Sequence, residues 1–223
     1  MLQLIATILF LIATGVTTVL ALRAKADSQR TRYLALAALL LLTTAIIVPQ
    51  PVDSFYKAAI VLGLMLYLVQ WGLQLLPGVP AVVGSSLHLI GALLYMAAFA
   101  ATHEGKWPTP WVLLPLLSLG LLYWRMRPRL AELHGTIVLY MIAFFLMLWQ
   151  AMEMGVVHPA PWAIMGLLGA VGLVTGQAIS GIHHFIHPIQ RYSHWSNGAI
   201  VLGNGLVILS IWGAPLTQWL LWR

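Results

Sequence analysis

At 223 residues, with 61% hydrophobic and only 7% charged side chains, the chain lies far from soluble domains, in which about a quarter of residues carry charge. Cysteine is absent, which removes disulfides, thiolate metal sites and a cysteine nucleophile. The net charge of +6 sits in short links between apolar runs, so it points to membrane topology and not to a nucleic-acid partner.

The apolar runs leave room for about eight crossings at about 20 residues each, which predicts an all-α fold, a polytopic membrane helix bundle. A single integral membrane domain over residues 1–223 is expected. Residues 1–22 form the first run; without a preceding basic region or a small-residue cleavage site in the right place, it reads as a retained helix. A polar link, 23–32, carries Lys25, Asp27 and Arg30. The second run, 33–48, is short, and Pro49 and Pro51 end it because proline cannot continue a helix. Residues 56–76 make the third, with Gln70 and Gln74 inside it, and Pro77-Gly78-Val79-Pro80 turns the chain. The fourth, 81–101, holds His88 and leads into His103, Glu104 and Lys106. The fifth, 111–124, stops at Arg125, Arg127 and Arg129 around Pro128. The sixth, 133–154, contains Tyr140 and Gln150, with Glu153 at its far end as a solvated helix terminus. Pro159 and Pro161 precede the seventh, 162–182, and the eighth covers 196–212. The chain shows no internal repeat of the kind that supports an inverted-repeat transporter.

Links after odd-numbered runs carry Arg23, Lys25, Arg30, Arg32, Arg125, Arg127, Arg129 and Arg191, against Lys57, Lys106 and Arg223 on the other side. By the positive-inside rule the odd links are cytoplasmic, and both termini of this multi-pass cell-membrane protein lie on the non-cytoplasmic side. Trp107, Trp111, Trp162, Trp219 and Trp222 then fall near the outer interface as an aromatic belt.

On a ruler of about 1.5 Å per helical residue, Gln70, His88, Tyr140, Gln177 and Asn204 all lie about 7 to 12 Å below the inner surface. Each comes from a different run. Taken singly, such a residue is packing glue, bonding to a neighbouring helix for about 0.6 kcal/mol. Their common depth predicts one shared polar pocket, opening to the cytoplasmic leaflet and flanked by Tyr67, Tyr95 and Thr175. In that arrangement the amides of Gln177 and Asn204 face each other.

The stretch from His183 to His194 also holds His184 and His187. On a helical extension His183 and His187 share a face, as metal ligands can. His88, His103, His134 and His158 stand alone, however, and only His88 is placed to ligate a haem. No cofactor or metal is expected, and the loop histidines read as interfacial groups within reach of physiological titration. The series Gly166, Gly169, Gly172 and Gly176 predicts close helix contact through small residues; the strand and lysine of a phosphate loop are lacking.

With these features the chain resembles the YhhN-like lysoplasmalogenase family of membrane proteins. The likeness is carried by residues 140–151, by the helix from Gly169-Ala170 to Phe185 and by 204–210, with weaker similarity over 63–70 and 84–95. It implies hydrolysis of the vinyl ether bond of lysoplasmalogens, releasing a fatty aldehyde and a glycerophospho-headgroup. It also implies that Val69-Gln70 and Gly176-Gln177 stand where the family carries Gly-Asp and Ser-Asp. The family's histidine of the fourth helix falls at Ala92, and its tyrosine and glutamine of the last helix at Ile200 and Asn204. Vinyl ether cleavage needs an acid to protonate the enol carbon and a base to direct water at the oxocarbenium ion. Glutamine has no titratable proton. The catalytic residues are therefore unknown, with His88 the candidate replacement acid.

The sequence thus describes a lysoplasmalogenase-like integral membrane protein that binds a membrane lipid, a lysolipid-type amphiphile, from the inner leaflet, its hydrolase chemistry left without the family's acids. Two alternatives stay open. A transporter or channel for a small polar solute requires polar residues that continue to the outer face, where Gln150 and Glu153 are the candidates. A metal-dependent membrane hydrolase or oxidase would use the loop from His183 to His194.

Overall fold

The computed structural model describes residues 2–24, 26–48, 54–79, 81–103, 110–130 and 133–221, with side chains described up to Ile211 at the C-terminal end. Among these residues are eight α-helices and no strand: α1 (Leu2–Arg23), α2 (Asp27–Ile47), α3 (Ser54–Leu73), α4 (Ala81–Ala100), α5 (Leu113–Met126), α6 (His134–Val157), α7 (Pro161–Phe185) and α8 (Tyr192–Leu221). Single 3-10 turns, Pro110–Val112 and Arg127–Arg129, bracket α5. Lipid offers no partner to backbone N–H and C=O groups, so an apolar chain satisfies them within its own helices. α1, α2, α3, α4, α6 and α7 are each long and apolar enough to cross a membrane. α5, at 14 residues, is only about 21 Å long. That is short of the roughly 30 Å hydrocarbon core, so the fifth run does not make a full-length span as a helix.

Several helix ends differ from the sequence expectation. α2 starts at Asp27, taking in residues assigned to a polar link. Asp27 stands in the first turn, where a carboxylate favours the helix N-terminus, and Arg30 pairs with it at 2.8 Å. α7 runs on to Phe185 and α8 begins a full turn early, at Tyr192, whose ring stacks on His183 at 3.6 Å. Arg191, with φ of 55°, supplies the left-handed residue that turns the chain between them. α6 continues to Val157.

α2, α3, α4, α6, α7 and α8 close into a ring, each against the next, with α8 returning to α2 and α3. α1 packs on α2 and touches α8; α5 lies against α6 and α7. Ile60, Leu64, Met147, Leu173 and Ile208 fill the interior. The tightest seam joins α7 to α8. A Cβ on Gly169 would meet the carbonyl oxygen of Gly203 at 2.8 Å, and one on Gly203 would meet that of Gly169 at the same distance. A Cβ on Gly176 would meet the Ser196 carbonyl oxygen equally closely, and the Ser196 hydroxyl donates to the Gly176 carbonyl oxygen at 2.8 Å. Apolar burial does not drive association between helices already in lipid, so close approach through small residues supplies the dispersion contact that holds this pair. Basic side chains close two helix ends: Lys57 donates to the carbonyl oxygens of Ile46 and Val48, and Arg129 to those of Phe185 and Ile186.

Candidate ligand cavity

The N-terminal turns of α2, α4, α6 and α8 and the C-terminal turns of α3, α5 and α7 meet at one end of the bundle. Between them lies a cavity of about 1030 Å³, at the top of the range of small-molecule sites. Its mouth is lined by Asp27, Arg30, Gln74, Val79, Leu133, His184 and Tyr192, which lie in or beside the links that follow α1, α3, α5 and α7. Leu34, Trp71, Leu119, Met126, Phe144 and Ile200 make apolar walls. Farther in, Gln70, Ser85, His88, Tyr140 and Gln177 supply polar groups.

Four of the five residues expected to share a pocket, namely Gln70, His88, Tyr140 and Gln177, line this cavity. His88 is 4% exposed, and the Gln177 amide nitrogen donates to its Nε2 at 2.7 Å. The Tyr140 hydroxyl donates to the Ser85 carbonyl oxygen, which ties α6 to α4. The Tyr67 ring stands edge-on to His88, with centroids 4.3 Å apart, and stacks on Tyr95 at 5.9 Å. These rings fit because each tyrosine rests on a glycine of the opposite helix: Tyr95 on Gly63 of α3, Tyr67 on Gly91 of α4. Three buried polar atoms at this end have no hydrogen-bond partner: Arg30 Nε at the mouth and, farther in, the Tyr67 hydroxyl and the Gln70 amide oxygen.

Asn204 lies apart from the lining. Its amide oxygen accepts from the Tyr95 hydroxyl at 2.6 Å and its nitrogen donates to the Ile200 carbonyl oxygen at 2.9 Å. The two amides therefore do not face each other: Gln177 turns to His88 and Asn204 to Tyr95. The early start of α8 explains the difference. With the helix beginning at Tyr192, Asn204 lies about 18 Å along it, a turn below the other polar groups. Thr175 is exposed on the outer face of α7 and does not flank the cavity.

Glu153 is 6% exposed and accepts from the Trp149 indole N–H at 3.0 Å. It is not a solvated terminus, because α6 continues a further turn beyond it. His187 falls outside α7, its backbone N–H bonding to the Ile182 carbonyl oxygen at 2.8 Å, so it does not share a helical face with His183. Pro188 disfavours helical geometry at the residue before it. His183 Nδ1 accepts from the Ile189 N–H at 3.0 Å, and the His184 ring bonds to the Ser180 carbonyl oxygen at 2.8 Å. Among the described residues no three histidine or acidic side chains converge as a metal set. Trp107 and Trp222 lie outside the described residues, as do Lys25, Lys106, Glu104 and the prolines at 49, 51 and 80.

Sequence reasoning missed the mouth. Arg30 counted only as a topology charge, yet its position, one turn above Leu34 on the inward face of α2, was readable from helical period. A family model described as the YhhN family matches residues 29–210, which takes in α2 through most of α8 and all of the cavity lining except Asp27. No curated protein and no solved structure matches the chain.

Proposed function

The chain belongs to the YhhN family, and from that membership and the cavity together we propose that it binds a single-chain, lysolipid-type amphiphile entering from one leaflet. The observation that carries this reading is a cavity with a charged mouth, apolar walls and polar groups one to two turns inward. A headgroup suits the mouth, the glycerol region suits Gln70, His88 and Gln177, and the chain suits the walls. The family resemblance adds vinyl ether hydrolysis, but Gln70 and Gln177 hold no proton to give and no carboxylate to accept one. Binding without efficient hydrolysis is therefore the function proposed. Beyond the cavity the polar groups pair among themselves, Tyr95 with Asn204 and Tyr56 with Ser210 at 2.6 Å each, which favours a closed chamber over a solute path. The mouth faces the cytoplasm in this reading, with both termini on the other side.

The test is aldehyde release from a lysoplasmalogen by the purified protein and by a Gln70→Asp/Gln177→Asp variant. The native protein is expected to bind the lipid without releasing aldehyde, and the variant to release it. Aldehyde from the native protein would overturn the binding-only reading, and His88→Gln would then ask whether the imidazole is the acid.

A further inference from the structure

Tyr67 and Gln70 are three residues apart on α3 and so share a face, with Cβ atoms about 5–6 Å apart. Tyr67 is 1% exposed and Gln70 8% exposed. The Tyr67 hydroxyl and the Gln70 amide oxygen have no partner, whereas His88 and Gln177 beside them are bonded to each other. Buried polar groups in folded proteins are nearly always paired, so two orphans side by side mark a place for a partner. One orphan donates and the other accepts. Gln70 lines the cavity, and Tyr67 sits directly behind, against His88.

We infer that Tyr67 and Gln70 form a hydroxyl-reading site, in which a ligand hydroxyl accepts the Tyr67 proton and donates its own to the Gln70 amide oxygen. The inference rests on the lysolipid reading and gives it a selectivity. Within a lysolipid with a choline headgroup a phosphate, ester or ether oxygen can only accept, and the quaternary ammonium does neither. The free glycerol hydroxyl alone does both. That hydroxyl is what a two-chain lipid lacks, so the site separates single-chain lipids from their two-chain counterparts by chemistry as well as by size.

The experiment is native mass spectrometry of the purified full-length protein with a lysophosphatidylcholine and with its 2-deoxy analogue, identical in chain and headgroup. The lysolipid is expected to bind about tenfold or more tightly, because the analogue leaves a buried donor and acceptor unpaired. Tyr67→Phe and Gln70→Leu should each bring the ratio toward about twofold or less, with unchanged helical circular dichroism in detergent reporting that the variant is folded. Equal affinity of the native protein for the two lipids, as expected if water fills the site, would overturn the hydroxyl site and leave lysolipid binding standing. Discrimination that survives in both variants would also overturn it. Binding of neither lipid would remove both this inference and the reading beneath it.

Discussion

Gln177 and Asn204 are amides on adjoining helices, and their partners give them different work. Gln177 faces the cavity and holds His88, so Gln177→Leu should lower lysolipid affinity by about tenfold while thermal unfolding in detergent shifts little. Asn204→Leu should do the reverse. It strands the Tyr95 hydroxyl in the packed interior, at about 1–3 kcal/mol of stability, while leaving the affinity of the folded protein nearly intact. Parallel titration and melting of both variants would check this, and equal binding losses would place Asn204 in the ligand site after all. The same pair shows what was legible in the sequence. Depth along a helix is linear in residue number, so Gln70, His88, Tyr140 and Gln177 could be grouped with a ruler alone. The ruler has its zero at the helix end, however, and the unforeseen start of α8 at Tyr192 moved Asn204 inward by about 6 Å. The orphan state of Tyr67 could not be read at all, because it depends on which rotamer the Gly91 surface accepts.

At the scale of the element, the seam between α7 and α8 is set by backbone proximity. Gly169→Val should destabilise the fold by about 1–3 kcal/mol or more, because the new side chain meets the Gly203 carbonyl oxygen and the Val207 backbone nitrogen, neither of which can swing aside. Gly120→Ala in α5 is the control. A Cβ there meets nothing, so the change should be neutral or stabilising by up to about 1 kcal/mol through helix propensity. Thermal melting of the two variants in one detergent makes the comparison. The spacing of the glycines announced a close contact; that the partner would be Gly203 was hidden, since one helix's sequence carries the period of its face and not the identity of its neighbour.

For the whole molecule, the proposed orientation can be tested directly, because the chain contains no cysteine to remove. Gln74→Cys, at the cavity mouth, should react with a membrane-impermeant maleimide only in inside-out vesicles, and Pro159→Cys, exposed between α6 and α7, only in right-side-out ones. The opposite pattern would invert the topology read from the basic links. Whichever way the bundle sits, the mouth is built at the helix ends beside the odd-numbered links and so belongs to a single face. On the proposed lipid-binding function such a chamber would be an asymmetric sampler, drawing guests from one monolayer and blind to the other. Its occupancy would then follow the local abundance of single-chain lipids in that monolayer, and any process that redistributes lipids across the bilayer would load or empty the protein without touching it.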